Sequence, residues 1–213
     1  MQLTKHLVRL MLVVFVSTFS LSSHANLIIN GSFEDNDVAY GQWQWFVADD
    51  VNGWSGSNIE IWDHLQGEAA YHGQQFAELN AHPRPQSAFS IYQDFATTAG
   101  QTYSLSFAYQ ARRNKIDETF SVAVSDVAGQ LNSSIMSWVL NDHTTNGWKF
   151  FSATFTAQST MTQLVFTTVR PSTYTYGNFI DDVRVSVPEP TPLMLFGLGM
   201  LGLGLSRRLN KNK

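Results

Sequence analysis

Hydrophobic residues recur at every second position along much of the chain, and that period leaves little choice of architecture. In "QTYSLSFAYQ" Tyr103, Leu105, Phe107 and Tyr109 alternate with Ser104, Ser106 and Ala108. In "ETFSVAVSD" Phe120, Val122 and Val124 alternate with Ser121, Ala123 and Ser125. "WKFFSATFTA" puts Phe151, Ala153 and Phe155 on one face, and "NFIDDVRVSV" does the same for Phe179, Val183, Val185 and Val187. Successive side chains of a strand point to opposite faces, so each stretch reads as a strand with one side buried. "MTQLVFTTV" is apolar on both faces, as a central strand would be. Weaker strand candidates are 27–30, 58–62, 75–79 and 87–95.

Turn-forming clusters separate these stretches: "NGSFEDND", "DDVNGWSGSN", "HLQGEAAYHGQ", "AHPRPQ", "TTAGQ", "DVAGQ", "DHTTNGW" and "RPSTYTYGN". No window of about 11 residues between the termini holds a clean helical stripe. Eight to ten short strands at fairly regular spacing predict an all-β domain, an antiparallel β-sandwich or jelly roll.

The termini read differently. Lys5, His6 and Arg9 precede the compact apolar run "LMLVVFVSTFSL", and Ser23 and Ala25 sit where a signal peptidase reads small residues. Residues 1–25 are therefore expected to be a signal peptide, and 26–187 one exported domain. That domain carries seven Lys and Arg against 16 Asp and Glu, a formal charge of −9. Such a surface repels phosphate backbones and argues against nucleic acid. The chain has no cysteine, which excludes thiol catalysis, disulfides and Cys-based metal sites.

The ordered series "NLIINGSFED", "GWSGSNIEIW", "GQQFAELN", "SIYQDFATTAGQTYSLSFAYQARR", "GWKFFSATFTA" and "NFIDDVRVSV" resembles the galactose-binding-domain-like jelly rolls. These include many carbohydrate-binding modules and a plant cell-wall domain family of unknown function. The tail, residues 188–213, resembles the PEP-CTERM sorting signal of Gram-negative bacteria. It has Pro188, Glu189 and Pro190, then an apolar segment, then the basic end with Arg207 and Arg208. The resemblance implies a transient apolar helix in the inner membrane. An exosortase would recognise the Pro-Glu-Pro motif and release the domain to the cell surface or extracellular matrix.

Candidate site residues follow from both readings. Asp181 falls in step with apolar neighbours, and a carboxylate aimed into a core needs compensation. The resembled modules hold a structural Ca²⁺ between their first and last strands. Carried over, Glu34 and Asp181 are side-chain ligands and Asp182 a weaker one; hard oxygen donors suit that ion. Read without the metal, Asp181 caps backbone amides at a bulge and Glu34 is solvated. Six tryptophans are available to stack sugar rings: Trp43, Trp45, Trp54, Trp62, Trp138 and Trp148. Trp43 and Trp45, on one side of "QWQWF", and Trp54, in the Gly- and Ser-rich "NGWSGS", are the candidates for a sugar platform. Trp62 and Trp148 read as packing residues. Arg112, beside Arg113 near a strand end, is a further ligand candidate, although two solvated arginines would look the same.

The histidines are scattered and no HxH or HExxH spacing unites them. Carboxylate pairs such as Glu60 with Asp63, or Glu68 with Glu78, are the groups glycoside hydrolysis uses, but no catalytic motif surrounds them. The expected protein is an exported, non-catalytic surface or matrix component that binds carbohydrate, plausibly exopolysaccharide, with a structural calcium. A matrix protein without a sugar site is the alternative, and a glycoside hydrolase a remote one.

Overall fold

The computed structural model describes residues 25–83, 88–112, 118–127, 134–140, 147–172 and 174–188. The expected signal peptide before Ala25, and the sorting tail from Glu189 onward, lie outside the described residues. Among the described residues, no helix is long and apolar enough to cross a membrane.

The described residues form eleven strands: β1 (Gln42–Phe46), β2 (Ser55–Gly56), β3 (Ile59–Asp63), β4 (Gln75–Glu78), β5 (Ser90–Ala96), β6 (Thr102–Gln110), β7 (Thr119–Asp126), β8 (Ser134–Leu140), β9 (Lys149–Thr156), β10 (Met161–Arg170) and β11 (Phe179–Ser186). They make two sheets. One runs β1-β3-β4-β11-β6-β9 and the other β2-β5-β10-β7-β8. Every pairing is antiparallel. The expected all-β sandwich is the fold.

The alternating faces meet between the sheets, where burial of apolar area drives their association. Tyr103, Leu105, Phe107 and Tyr109 of β6 face Phe120, Val122 and Val124 of β7 and Leu164 and Phe166 of β10 in one cluster. The Phe107 and Phe166 rings meet edge to face at 5.1 Å, the geometry that aromatic quadrupoles favour. Strand β10 lies in the middle of its sheet, as its doubly apolar sequence predicts.

Two expectations need correction. Strand β11 does not keep one phase. Its register against β6 shifts between Asp181 and Arg184, with Asp182 in the left-handed region at φ 51°. The extra residue of this bulge re-phases the strand. Val183 and Val185 face the inter-sheet core with Ile180, whereas Phe179 faces outward into a second cluster with Trp62 and Phe76. Residues 27–30 form turns rather than a strand. They are laid along β11 by single bonds, Leu27 N–H to the Val185 carbonyl at 2.8 Å and Val183 N–H to the Gly31 carbonyl at 2.9 Å. A Cβ on Gly31 would lie 2.1 Å from the Val183 carbonyl oxygen, so only glycine permits this approach. Strand β8 was not legible from period alone. It is an edge strand whose side chains are exposed or only half-buried.

Candidate functional site

The outer face of the six-stranded sheet carries a second set of large side chains. Residues directly opposite each other on antiparallel strands share a face, so the register defines two rows. Trp43 lies opposite Trp62, which lies opposite Phe76. Trp45 lies opposite Glu60, Glu60 opposite Glu78, Glu78 opposite Phe179, and Phe179 opposite Gln110. On the far edge Phe150 of β9 faces Ala108. The connection between β3 and β4 packs over the middle of this face. Leu65 and Ala70 contact the Trp62–Phe76–Phe179 cluster together with Trp148, and the Trp148 indole donates to the Ala69 carbonyl at 2.8 Å. Tyr71 then stacks 6.3 Å from Phe150. Aromatic surface is thus offered at both edges, by Trp43 (38% exposed) and Trp45 (42%) on β1 and by Tyr71 and Phe150 beside β9.

Between these edges lies a buried polar cluster. Arg112 Nη1 donates to Glu78 Oε1 at 3.0 Å, and its guanidinium carbon sits 4.9 Å over the Trp62 ring, a cation–π arrangement. The Trp62 indole donates to Glu60 Oε1 at 2.8 Å. Glu78 Oε1 also accepts the Gly177 N–H at 2.9 Å. Burial pushes the Glu78 carboxyl well above its usual range and the facing Glu60 charge adds to this, while Arg112 and the Gly177 amide offset it. Both glutamates interrupt otherwise apolar strands, "IEIWD" and "QFAE". That signal marks them in the sequence, but the pairing is Glu60 with Glu78 rather than Glu60 with Asp63 or Glu68 with Glu78.

The expected ligand residues divide. Trp43 and Trp45 are exposed on one face, as their spacing predicts. Arg112 is not a solvated arginine; it is held by Glu78 and Trp62, while Arg113 lies outside the described residues. Trp54 does not belong to a platform. It is 2% exposed and part of the inter-sheet core, its ring 5.3 Å from Phe33 and its indole donating to the Asn30 carbonyl at 3.2 Å. A sugar cannot reach it. Trp62 and Trp148 do pack, as expected, but on the outer face rather than between the sheets. Trp138 half-buries against Phe151.

Glu34 and Asp181 converge on one loop. Glu34 Oε1 accepts the amides of Gln74 at 2.8 Å and Gln75 at 2.9 Å. Asp181 Oδ2 accepts the His72 amide at 2.8 Å, and Asp181 Oδ1 that of Asp182 at 2.6 Å. A Cβ on Gly73, at φ 77°, would lie 2.2 Å from Glu34 Oε1, so the loop closes around that carboxylate only with glycine there. Asp181 is 0% exposed, and burial raises its pKa to about 7 against the pull of the surrounding amides. Asp182 does not join them. It pairs instead with Arg184, whose Nε and Nη2 lie 2.7 Å from its Oδ1. Asp181 therefore caps amides at a bulge, one of the two readings its position allows. The donor set is all oxygen, and each carboxylate has lone pairs beyond those the amides use, so Glu34 and Asp181 fit a hard cation while Asp182 does not. Among the described residues no three His, Asp or Glu side chains converge as a metal site, so backbone carbonyls would have to complete the shell. His64 and His82 instead face Asp63 and Glu60, His72 meets Ser32, and His143 lies outside the described residues.

The sequence matches the family described as "Protein of unknown function (DUF642)" over residues 26–186. It matches the PEP-CTERM protein-sorting motif over residues 186–208. No curated protein matches it. Among solved structures the fold is similar to the CBM22-1 xylan-binding domain of Paenibacillus barcinonensis Xyn10C, at 11% identity and TM-score 0.50, over 81% of this chain and all of that one. It is similar to an arabinose-bound α-L-arabinofuranosidase, MgGH51, at 11% identity and TM-score 0.52, over 78% of this chain and 27% of that one. A third is TmCBM61, solved with β-1,4-galactotriose, at 16% identity and TM-score 0.49, over 77% of this chain and 99% of that one. At these identities the likeness is one of fold, a two-sheet antiparallel β-sandwich.

Proposed function

The chain belongs to the DUF642 family and carries a PEP-CTERM motif that marks an exported protein sorted to the cell surface, and we propose that its outer sheet face binds carbohydrate without catalysis. One observation carries this reading. Two half-exposed indoles, Trp43 and Trp45, stand on an edge strand directly opposite Trp62 and the buried Glu60. An indole face offers a sugar ring apolar contact, and the carboxylates and guanidinium beyond it offer hydrogen bonds to hydroxyls. Arg112 holds Glu78 in place and stiffens Trp62 beneath it. The polymer in this reading is an exopolysaccharide at the surface or in the extracellular matrix of a Gram-negative bacterium.

The remaining parts of the account concern delivery and stability. Residues 193–205 would insert transiently in the inner membrane, with Arg207 and Arg208 kept on the cytoplasmic side. An exosortase would cut near Pro188, Glu189 and Pro190. A structural Ca²⁺ would be held by Glu34 and Asp181 with backbone carbonyls, and its charge would neutralise a carboxylate that burial otherwise penalises. The test of the binding reading is a glycan array probed with the protein produced from Asn26 onward. Binding to a defined set of oligosaccharides supports it. A blank array leaves a structural matrix component without a sugar site.

A further inference from the structure

Glu60 is buried, 3% exposed. Its Oε1 accepts the Trp62 indole N–H. Its Oε2 accepts from no amide, indole or hydroxyl, and the facing Glu78 carboxyl is its hydrogen-bonding neighbour. His82 Nδ1 lies 3.6 Å from it, which is beyond hydrogen-bond reach. A buried acceptor left short of donors is costly, and native structures keep such atoms where something else completes them. Over this oxygen stands the imidazole of His82. His82 is about half exposed, and its ring lies 5.3 Å from that of Trp43. The imidazole thus occupies the indole face a sugar would use, and it screens Glu60 from solvent at the same time.

Two carboxylates and one guanidinium meet at this point, and burial with the facing Glu60 pushes the Glu78 carboxyl toward its protonated form, so the acidic group a ligand would meet is Glu60. Glu60 lies directly opposite Glu78. Arg112 is bonded to Glu78, so a single guanidinium serves the two facing carboxylates. A sugar hydroxyl is a donor that a carboxylate accepts in a charge-assisted bond. A uronic acid would instead bring its carboxylate against that of Glu60 in a poorly solvated place, where like charges repel strongly.

Building on the carbohydrate-binding reading, we propose that Glu60 is the specificity-determining residue of that site. When His82 swings off Trp43, Glu60 Oε2 accepts a hydroxyl of a neutral sugar stacked on the indole, and the Glu60 carboxylate rejects uronic-acid chains.

The experiment titrates the protein with paired oligosaccharides that differ only at C6: gluco-, galacto- and manno-configured chains beside their uronate counterparts of the same linkage. At low salt at least one neutral chain binds ten-fold or more tighter than its uronate. Glu60→Gln, which keeps an acceptor for the Trp62 indole, weakens the neutral chain at least five-fold and narrows the discrimination. His82→Ala binds the neutral chain as well as the native protein or better. If Glu60→Gln fails to fold in a thermal melt, the native two-series comparison and His82→Ala decide. Uronates bound as tightly as neutral chains, or neutral binding unchanged in Glu60→Gln, overturn the role of Glu60 and leave carbohydrate binding standing. So does a neutral affinity lost in His82→Ala. No binding in either series overturns both.

Discussion

Glu34 and Asp181, from opposite ends of the domain, hold the same short loop: Glu34 accepts the Gln74 and Gln75 amides and Asp181 the His72 amide. The first and last segments of the fold are thus tied through the connection that covers the outer sheet face. The Asp181 carboxylate is compensated by amides and by no cationic side chain among the groups that act on it. A bound cation would remove that deficit.

We therefore predict that calcium raises the melting temperature of the protein and that Asp181→Ala abolishes most of the shift. An ion at 100 times its Kd adds about 2.7 kcal/mol to the native state. For a domain of this size that corresponds to roughly 5–11 °C. Differential scanning calorimetry in calcium and in chelator checks it, and superimposed traces of the native protein would dispose of the metal.

The tryptophans separate by face. Trp54→Ala should cost about 3–5 kcal/mol of stability, the range for deleting a large buried aromatic side chain. Trp43→Ala and Trp45→Ala should leave the denaturant midpoint nearly unchanged and each weaken glycan binding by on the order of 1 kcal/mol. Chemical denaturation of the three variants side by side measures this. A Trp43 or Trp45 variant as unstable as Trp54→Ala would make those side chains structural.

Glu78 sets a pH dependence. Its folded pKa is raised above the ordinary 4.5, so the folded state holds the proton more tightly than the unfolded chain. The stability this provides is fully present below about pH 4.5 and is lost as pH rises through the folded value. The loss approaches 1.4 kcal/mol per pH unit inside that window. Glu78→Gln should flatten this part of the profile. Urea titrations of both proteins from pH 4 to pH 8, in chelator, test the sign. A native profile that rises as steeply as that of Glu78→Gln would contradict it.

The tail makes a separate prediction. A helix over the 13 residues 193–205 spans roughly 20 Å, short of the approximately 30 Å hydrocarbon core. A marginal anchor followed by Arg207, Arg208, Lys211 and Lys213 suits a transient intermediate. Surface-extracted protein should lack the segment after about Pro190, and Glu189→Ala should stay in the membrane fraction. Mass spectrometry finding the Lys213 peptide in the surface fraction would sink the sorting account.

Much of the sandwich was legible because its inner faces follow the strand period. Tyr103, Leu105, Phe107 and Tyr109 alternate in sequence and all four lie in the core. The period misleads where the backbone departs from it. Asp182 inserts a residue into β11, and everything before the bulge changes face. Trp54 sits among Gly and Ser and reads as exposed, yet the chain turns its ring inward onto Phe33. The outer face was only partly visible. Trp43 and Trp45 declare their common side by spacing, whereas bringing them beside Glu60, Glu78 and Arg112 depends on the order β1-β3-β4-β11-β6, which no local pattern encodes. Asp181 was recognisable as a carboxylate out of place. Its partners, the amides of a distant loop, were not.

Carbohydrate binding by the outer face is tested most directly by one calorimetric comparison. The native protein and a Trp43→Ala/Trp45→Ala double variant are titrated with the tightest glycan found on an array. The account predicts saturable binding by the native protein and at least a ten-fold loss in the double variant, with both melting within a few degrees of each other. Equal affinity in the two proteins, or no glycan that the native protein binds, would contradict it.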